Sequence, residues 1–118
     1  METLCKIRDL ARMISKFEQQ FEEQYNLSLN EGMLLCTLYP SETLMSGELA
    51  QALGLSNSNA SKVIRATEAK NYIKRSIGET DKRQMCFSLT DKGSDTIKRI
   101  KNDDIEIPLE LLNIIKHL

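Results

Sequence analysis

Between Ser46 and Gly93, two short helical patterns meet at a single glycine, and a strand pattern with a charged turn follows. Ser46 stands at the N-cap position of the first pattern, with Leu49, Ala50 and Leu53 spaced as one inner helix face. Gly54 falls where that helix has to end and the chain reverse, and Leu55 anchors the turn. Ser56 is placed to cap a second helix over 57–70, whose apolar stripe is Ala60, Val63, Ile64 and Thr67. Two short helices joined by a turn containing glycine are the signature of a helix-turn-helix.

Asn71 follows the second helix, and asparagine tolerates the left-handed conformation of a helix end better than most residues with a side chain. Residues 72–76 read as a strand, 78–83 as a polar turn, and 84–89 as a second strand, with Met85, Phe87 and Leu89 on one side. The expectation is a two-stranded hairpin with a charged tip. Thr90 caps a further helix from Asp91 to about Lys101, with Ile97 and Ile100 facing inward.

Helical patterns flank this unit. Leu4, Ile7, Leu10, Ile14, Phe17 and Phe21 recur every three or four residues over a helix expected at 2–25. That stripe suits packing within the chain or against a second chain, and three heptads do not separate the two. Ser28 and Glu31 have the spacing of a capping box for a short helix that buries Met33, Leu34, Leu35 and Leu38. Tyr39-Pro40 ends it, because the residue before proline avoids helical angles. Pro108 opens a last short helix carrying Leu111, Leu112, Ile115 and Leu118. The fold class expected is mainly α with a small β-hairpin wing: a winged helix-turn-helix with flanking helices, in one domain over residues 1–118.

Charge locates the candidate site. The formal net charge of the 118 residues is −1, yet Ser56 to Met85 holds Lys62, Arg65, Lys70, Lys74, Arg75, Lys82 and Arg83 against only Glu68, Glu79 and Asp81. A local basic face, rather than the overall charge, is what contact with phosphate requires. In a helix-turn-helix the second helix enters the major groove of duplex DNA with its N-terminal residues nearest the base edges. Here those residues are Ser56, Asn57, Ser58, Asn59, Ser61, Lys62 and Arg65. Short hydroxyl and amide side chains offer donors and acceptors without bulk, and Lys62 and Arg65 have the reach for a guanine edge or a phosphate. Lys82 and Arg83 at the wing, over 77–84, suit an adjacent minor groove, where the negative potential favours arginine. Ser46 and Arg75 complete the expected DNA-binding set. Taken singly, the Ser/Asn run also fits a capped, solvated helix, and the tip a solvated turn. Their joint order carries the DNA reading.

Other chemistries find little support. No glycine-rich phosphate loop, no second histidine beside His117 and no Ser/His/Asp set is present, so no enzyme is expected. Cys5, Cys36 and Cys86 are far apart and form no CxxC pair, which argues against a zinc site, and neither metal nor cofactor is expected. No apolar run reaches the ~18 residues of a membrane span, and the first residues lack a signal-peptide pattern, so the expected location is the cytoplasm.

The run from Ser46 to Ser56, followed by Ala60, Ser61, Lys62, Val63, Ile64 and Glu68, resembles the MarR family of winged-helix regulators. The wing is the more specific part: Asp81, Arg83, then Leu89, Thr90 and Gly93 resemble the family's D-x-R … L-T-x-x-G pattern. The resemblance implies a homodimer on a palindromic operator, commonly a repressor, joined through the first and last helices (1–25 and 102–118). It implies that Arg83 reaches the minor groove while Asp81 braces the wing. A small aromatic effector is common in the family. Another branch senses peroxide through a cysteine near the start of the first helix, where Cys5 stands, with Arg8 one turn away. Departures are Asn71, where the family has glycine, and Thr67, where it has leucine. A winged-helix protein–protein adaptor is the alternative, and an acidic or apolar recognition face would favour it.

Overall fold

The computed structural model describes residues 2–78, 83–103 and 105–118. The chain divides into two compact units, one formed by residues 1–29 with 104–118 and the other by residues 30–103.

The first unit holds α1 (Glu2–Tyr25) and α6 (Leu109–Lys116), with Pro108 at the N-cap of α6. Along α1 the apolar stripe is covered unevenly. Phe21 and Tyr25 are buried, their rings 5.0 Å apart, whereas Leu4 and Ile7 are 65% and 57% exposed. On α6 only Leu111 is buried, and Ile114 and Ile115 stay open to solvent.

The second unit runs α2 (Leu29–Leu38, its first residue at the boundary), β1 (Leu44–Met45), α3 (Ser46–Leu53), α4 (Asn57–Ala69), β2 (Ile73–Ile77), β3 (Met85–Leu89) and α5 (Asp91–Asn102). Its core is built from Leu34, Leu35, Leu38, Leu49, Ala50, Ala60, Ile64, Ile73, Phe87 and Ile97, all buried. Fully burying a leucine contributes about 1.5–3 kcal/mol, so the α2 triplet is a principal anchor. Met33 was expected in that buried set but points outward, because Leu34, Leu35 and Leu38 already define the inward face.

Three local expectations change. The sheet has three antiparallel strands in the order β1-β3-β2, rather than a hairpin of two. Leu44 pairs with Phe87 and Met45 with Cys86. Two residues are too few to show alternation, so this strand exists only because β3 offers a free edge. With β3 in the middle, Phe87 alone of its expected inner side is buried, and Met85 is exposed.

Second, Ser46 is not the cap of α3. Pairing in β1 keeps Met45 extended (φ −81°, ψ 161°) and makes it the N-cap, and its N–H donates to the Glu48 carboxylate at 3.0 Å. Third, Tyr72 lies outside the strand it was expected to open. Asn71 takes a left-handed conformation (φ 67°), and Tyr72 N–H donates to Thr67 O at 3.2 Å while Asn71 N–H donates to Glu68 O at 2.9 Å. This is a Schellman closure of α4.

Candidate nucleic-acid interface

The turn between α3 and α4 sets the site. Gly54 sits at φ 68°, with its N–H on Gln51 O (3.2 Å) and that of Leu55 on Ala50 O (3.0 Å). Nothing stands within 4 Å of where a Gly54 Cβ would lie, so glycine is needed for its backbone angle and not for space. Ser56 then caps α4 through its hydroxyl oxygen, which accepts from the Asn59 N–H at 3.1 Å.

Ala60, Ile64 and Thr67 fix which side of α4 faces the core. Thr67 is wholly buried, and its hydroxyl donates to Val63 O at 2.6 Å, so the polar atom is satisfied where leucine is usual. At 100° per residue, the ridge opposite this stripe is Ser58, Lys62 and Arg65, with Asn59 and Ser61 beside it and Asn57 at the helix start. All six are exposed. The helix therefore presents its positive dipole end, small polar groups and two long cations on one face.

The wing is β2 and β3 joined beyond Ile77. Gly78 N–H donates to Gln84 O at 2.9 Å, which extends the ladder past the strand ends. Arg83 is exposed in the turn before β3. Ser46 and Arg83 border one open cleft of about 470 Å³, together with Gly47, Glu48 and Met85. Asp81 and Lys82, expected to brace and extend the wing, lie outside the described residues.

Arg75 of β2, expected in the DNA-binding set, has an intramolecular partner. Its guanidinium forks onto Glu68 of α4, Nε to Oε2 and Nη2 to Oε1, both at 2.7 Å. The paired hydrogen bonds, with the attraction between the charges, lower the Glu68 pKa and raise that of Arg75.

Contacts between segments distant in sequence hold the far end of α4. Lys70 pairs with the buried carboxylate of Glu31 at 3.0 Å. Lys92 donates to Lys70 O at 2.9 Å and stands 4.5 Å from the centre of the Tyr72 ring. The Thr90 hydroxyl donates to Asn71 O at 2.7 Å while its oxygen caps α5 at Gly93 N–H (3.1 Å). Partners this far apart in sequence leave no periodic signal.

Cys5, in the first unit, is half-buried, and Arg8 directs its guanidinium to Asp9 at 3.2 Å. Among the described residues no cluster of three or more His, Cys, Asp or Glu could hold a metal ion, and no helix is long and apolar enough to cross a membrane.

A helix pair joined at Gly54, with a basic outer face on its second helix and a wing of two strands after it, defines a winged helix-turn-helix protein. The MarR family model matches residues 27–85, and the chain belongs to that family. The uncharacterized HTH-type transcriptional regulator YwaE of Bacillus subtilis is 31% identical over 79% of the chain, which spans 54% of that protein's length. Among solved structures, reduced AbfR bound to DNA has a TM-score of 0.77 at 20% identity, over 98% of this chain and 84% of that one. Staphylococcus aureus MepR in its DNA-binding conformation has a TM-score of 0.75 at 21% identity, over 98% and 84%. These two similarities establish the fold.

Proposed function

We propose that the chain is a sequence-specific, double-stranded DNA-binding transcriptional regulator, acting as a cytoplasmic homodimer that represses from a palindromic operator. The observation that carries this reading is the outer ridge of α4, Ser58, Lys62 and Arg65, exposed opposite the buried Ala60, Ile64 and Thr67 and followed by Arg83 in the wing. α4 reads the major groove, and the wing reaches the minor groove or backbone. AbfR, seen bound to DNA, supports it through the shared fold. The basic face counts against the adaptor alternative.

Dimerisation is supported by the uncovered apolar residues of the first unit. Leu4, Ile7, Ile114 and Ile115 are 65%, 57%, 44% and 43% exposed. A second copy would take them out of water.

The test is selection of duplexes from a random-sequence pool by the purified protein, followed by titration of the selected duplex at several salt concentrations. Enrichment of a palindrome, with affinity falling steeply as salt rises, is the expected result. No enrichment by a folded protein would overturn the reading.

A further inference from the structure

Glu68 stands in the last turn of α4 and Arg75 in the middle of β2, seven positions on, across the Schellman turn. Arg75 pairs in register with Phe87 of β3, and its guanidinium lies 5.5 Å from the centre of that ring. Phe87 is buried in the core. One cation thus joins the recognition helix, both wing strands and the core.

We propose that the Glu68–Arg75 fork is a positioning latch: it holds the wing at a set angle to α4, so that both meet DNA as one body, and Arg75 is not itself a phosphate ligand. The effect on DNA rests on the proposed function, whereas the effect on the wing does not.

Two physical arguments support this. The Glu68 and Arg75 side chains are 29% and 47% exposed, and ion pairs in such places contribute little to stability. Geometry is what a two-bond fork adds: it sets both distance and angle, which a lysine point charge does not. A hairpin left to swing also loses orientational freedom when it docks, and that loss weakens binding.

The latch and a phosphate contact predict opposite signs. If Arg75 were a phosphate ligand, Glu68→Gln would release the guanidinium, remove a negative charge near the DNA and tighten binding. The latch predicts instead that Glu68→Gln and Arg75→Lys each weaken binding to the selected duplex by about 3- to 10-fold. In an Arg83→Ala background the Glu68→Gln effect should shrink to under about 2-fold, because the wing contact it positions is gone. A pair with only a structural role would lower the melting temperature and show no such coupling. Tighter or unchanged binding, or the same loss in both backgrounds, overturns the latch.

Hydrogen exchange of the DNA-free protein supplies the second measurement. Glu68→Gln should speed exchange at the Gly78 amide and the β2–β3 ladder several-fold and leave the Ala60 amide unchanged. Unchanged wing exchange overturns the latch whatever the DNA result. If the wild-type protein selects no duplex, the DNA reading fails and this measurement alone decides the latch.

Discussion

Gly93, in the first turn of α5, lies directly against the backbone carbonyl of Tyr72: a Cβ at Gly93 would run into the Tyr72 oxygen. That oxygen also accepts from the Thr90 N–H at 3.1 Å. The approach brings α5 onto the end of α4. Gly93 should therefore tolerate no side chain, and Gly93→Ala is expected to lower stability by about 1–3 kcal/mol in chemical denaturation. Gly54 meets a different constraint, of angle rather than space. Gly54→Asn should accordingly be mild, since asparagine accepts left-handed angles, while Gly93→Asn should be severe. Equal effects at both sites would refute the distinction.

The proposed DNA face makes a quantitative prediction. Lys62→Ala, Arg65→Ala and Arg83→Ala should each weaken binding to the selected duplex. A residue that contacts phosphate should also flatten the slope of log K against log salt by about 0.9. A residue that reads a base should instead relax preference at one position, by about 1–3 kcal/mol. Wild-type affinity in all three variants would misplace the face.

Glu31 and Lys70 tie α2 to the end of α4. The Glu31 side chain is 5% exposed and that of Lys70 34%. Lys70→Met removes the cation from beside a buried carboxylate, at a cost of about 1–3 kcal/mol. Adding Glu31→Gln to that variant should recover part of the loss, because it removes the stranded charge. The two-variant cycle in urea unfolding measures this, and strict additivity would argue against direct coupling.

The Glu68 pair predicts a pH dependence. The pKa of Glu68 is held below the ordinary glutamate value of 4.5 by its hydrogen bonds to Arg75. A lowered folded pKa contributes stability that is present above 4.5 and lost as pH falls through the folded value. The difference in stability between wild type and Glu68→Gln should thus narrow on acidification below that point. A difference that stays constant from neutral pH to well below it would show that the carboxylate charge is not involved.

The first unit predicts a change of assembly. Ile7→Asp with Ile115→Asp should shift sedimentation from dimer towards monomer while the far-ultraviolet circular dichroism is retained. A monomeric wild type would remove the basis for a palindromic operator.

Much of the fold was readable from local chemistry. Ser56, Gly54, Asn71 and Thr90 each act within a few residues of themselves, through a cap hydrogen bond or a left-handed backbone angle, so their types and spacing mark helix ends directly. The ridge of α4 followed from helical period alone, once Ala60 and Ile64 were taken as core. The α1 stripe was visible too, but which part of it is covered was not, because coverage depends on groups remote in sequence.

The particulars of the site lay beyond that reach. Arg75 looked like one more cation in a basic segment, and only the turn at Asn71, which brings β2 back along α4, gives it to Glu68. β1 is a strand because β3 has an edge free, and that in turn makes Met45 rather than Ser46 the cap of α3. Local order in this chain follows from short-range hydrogen bonding and periodic burial, which residue type encodes. Which charges pair, and which therefore remain for a partner, is set by where the folded backbone brings distant segments together.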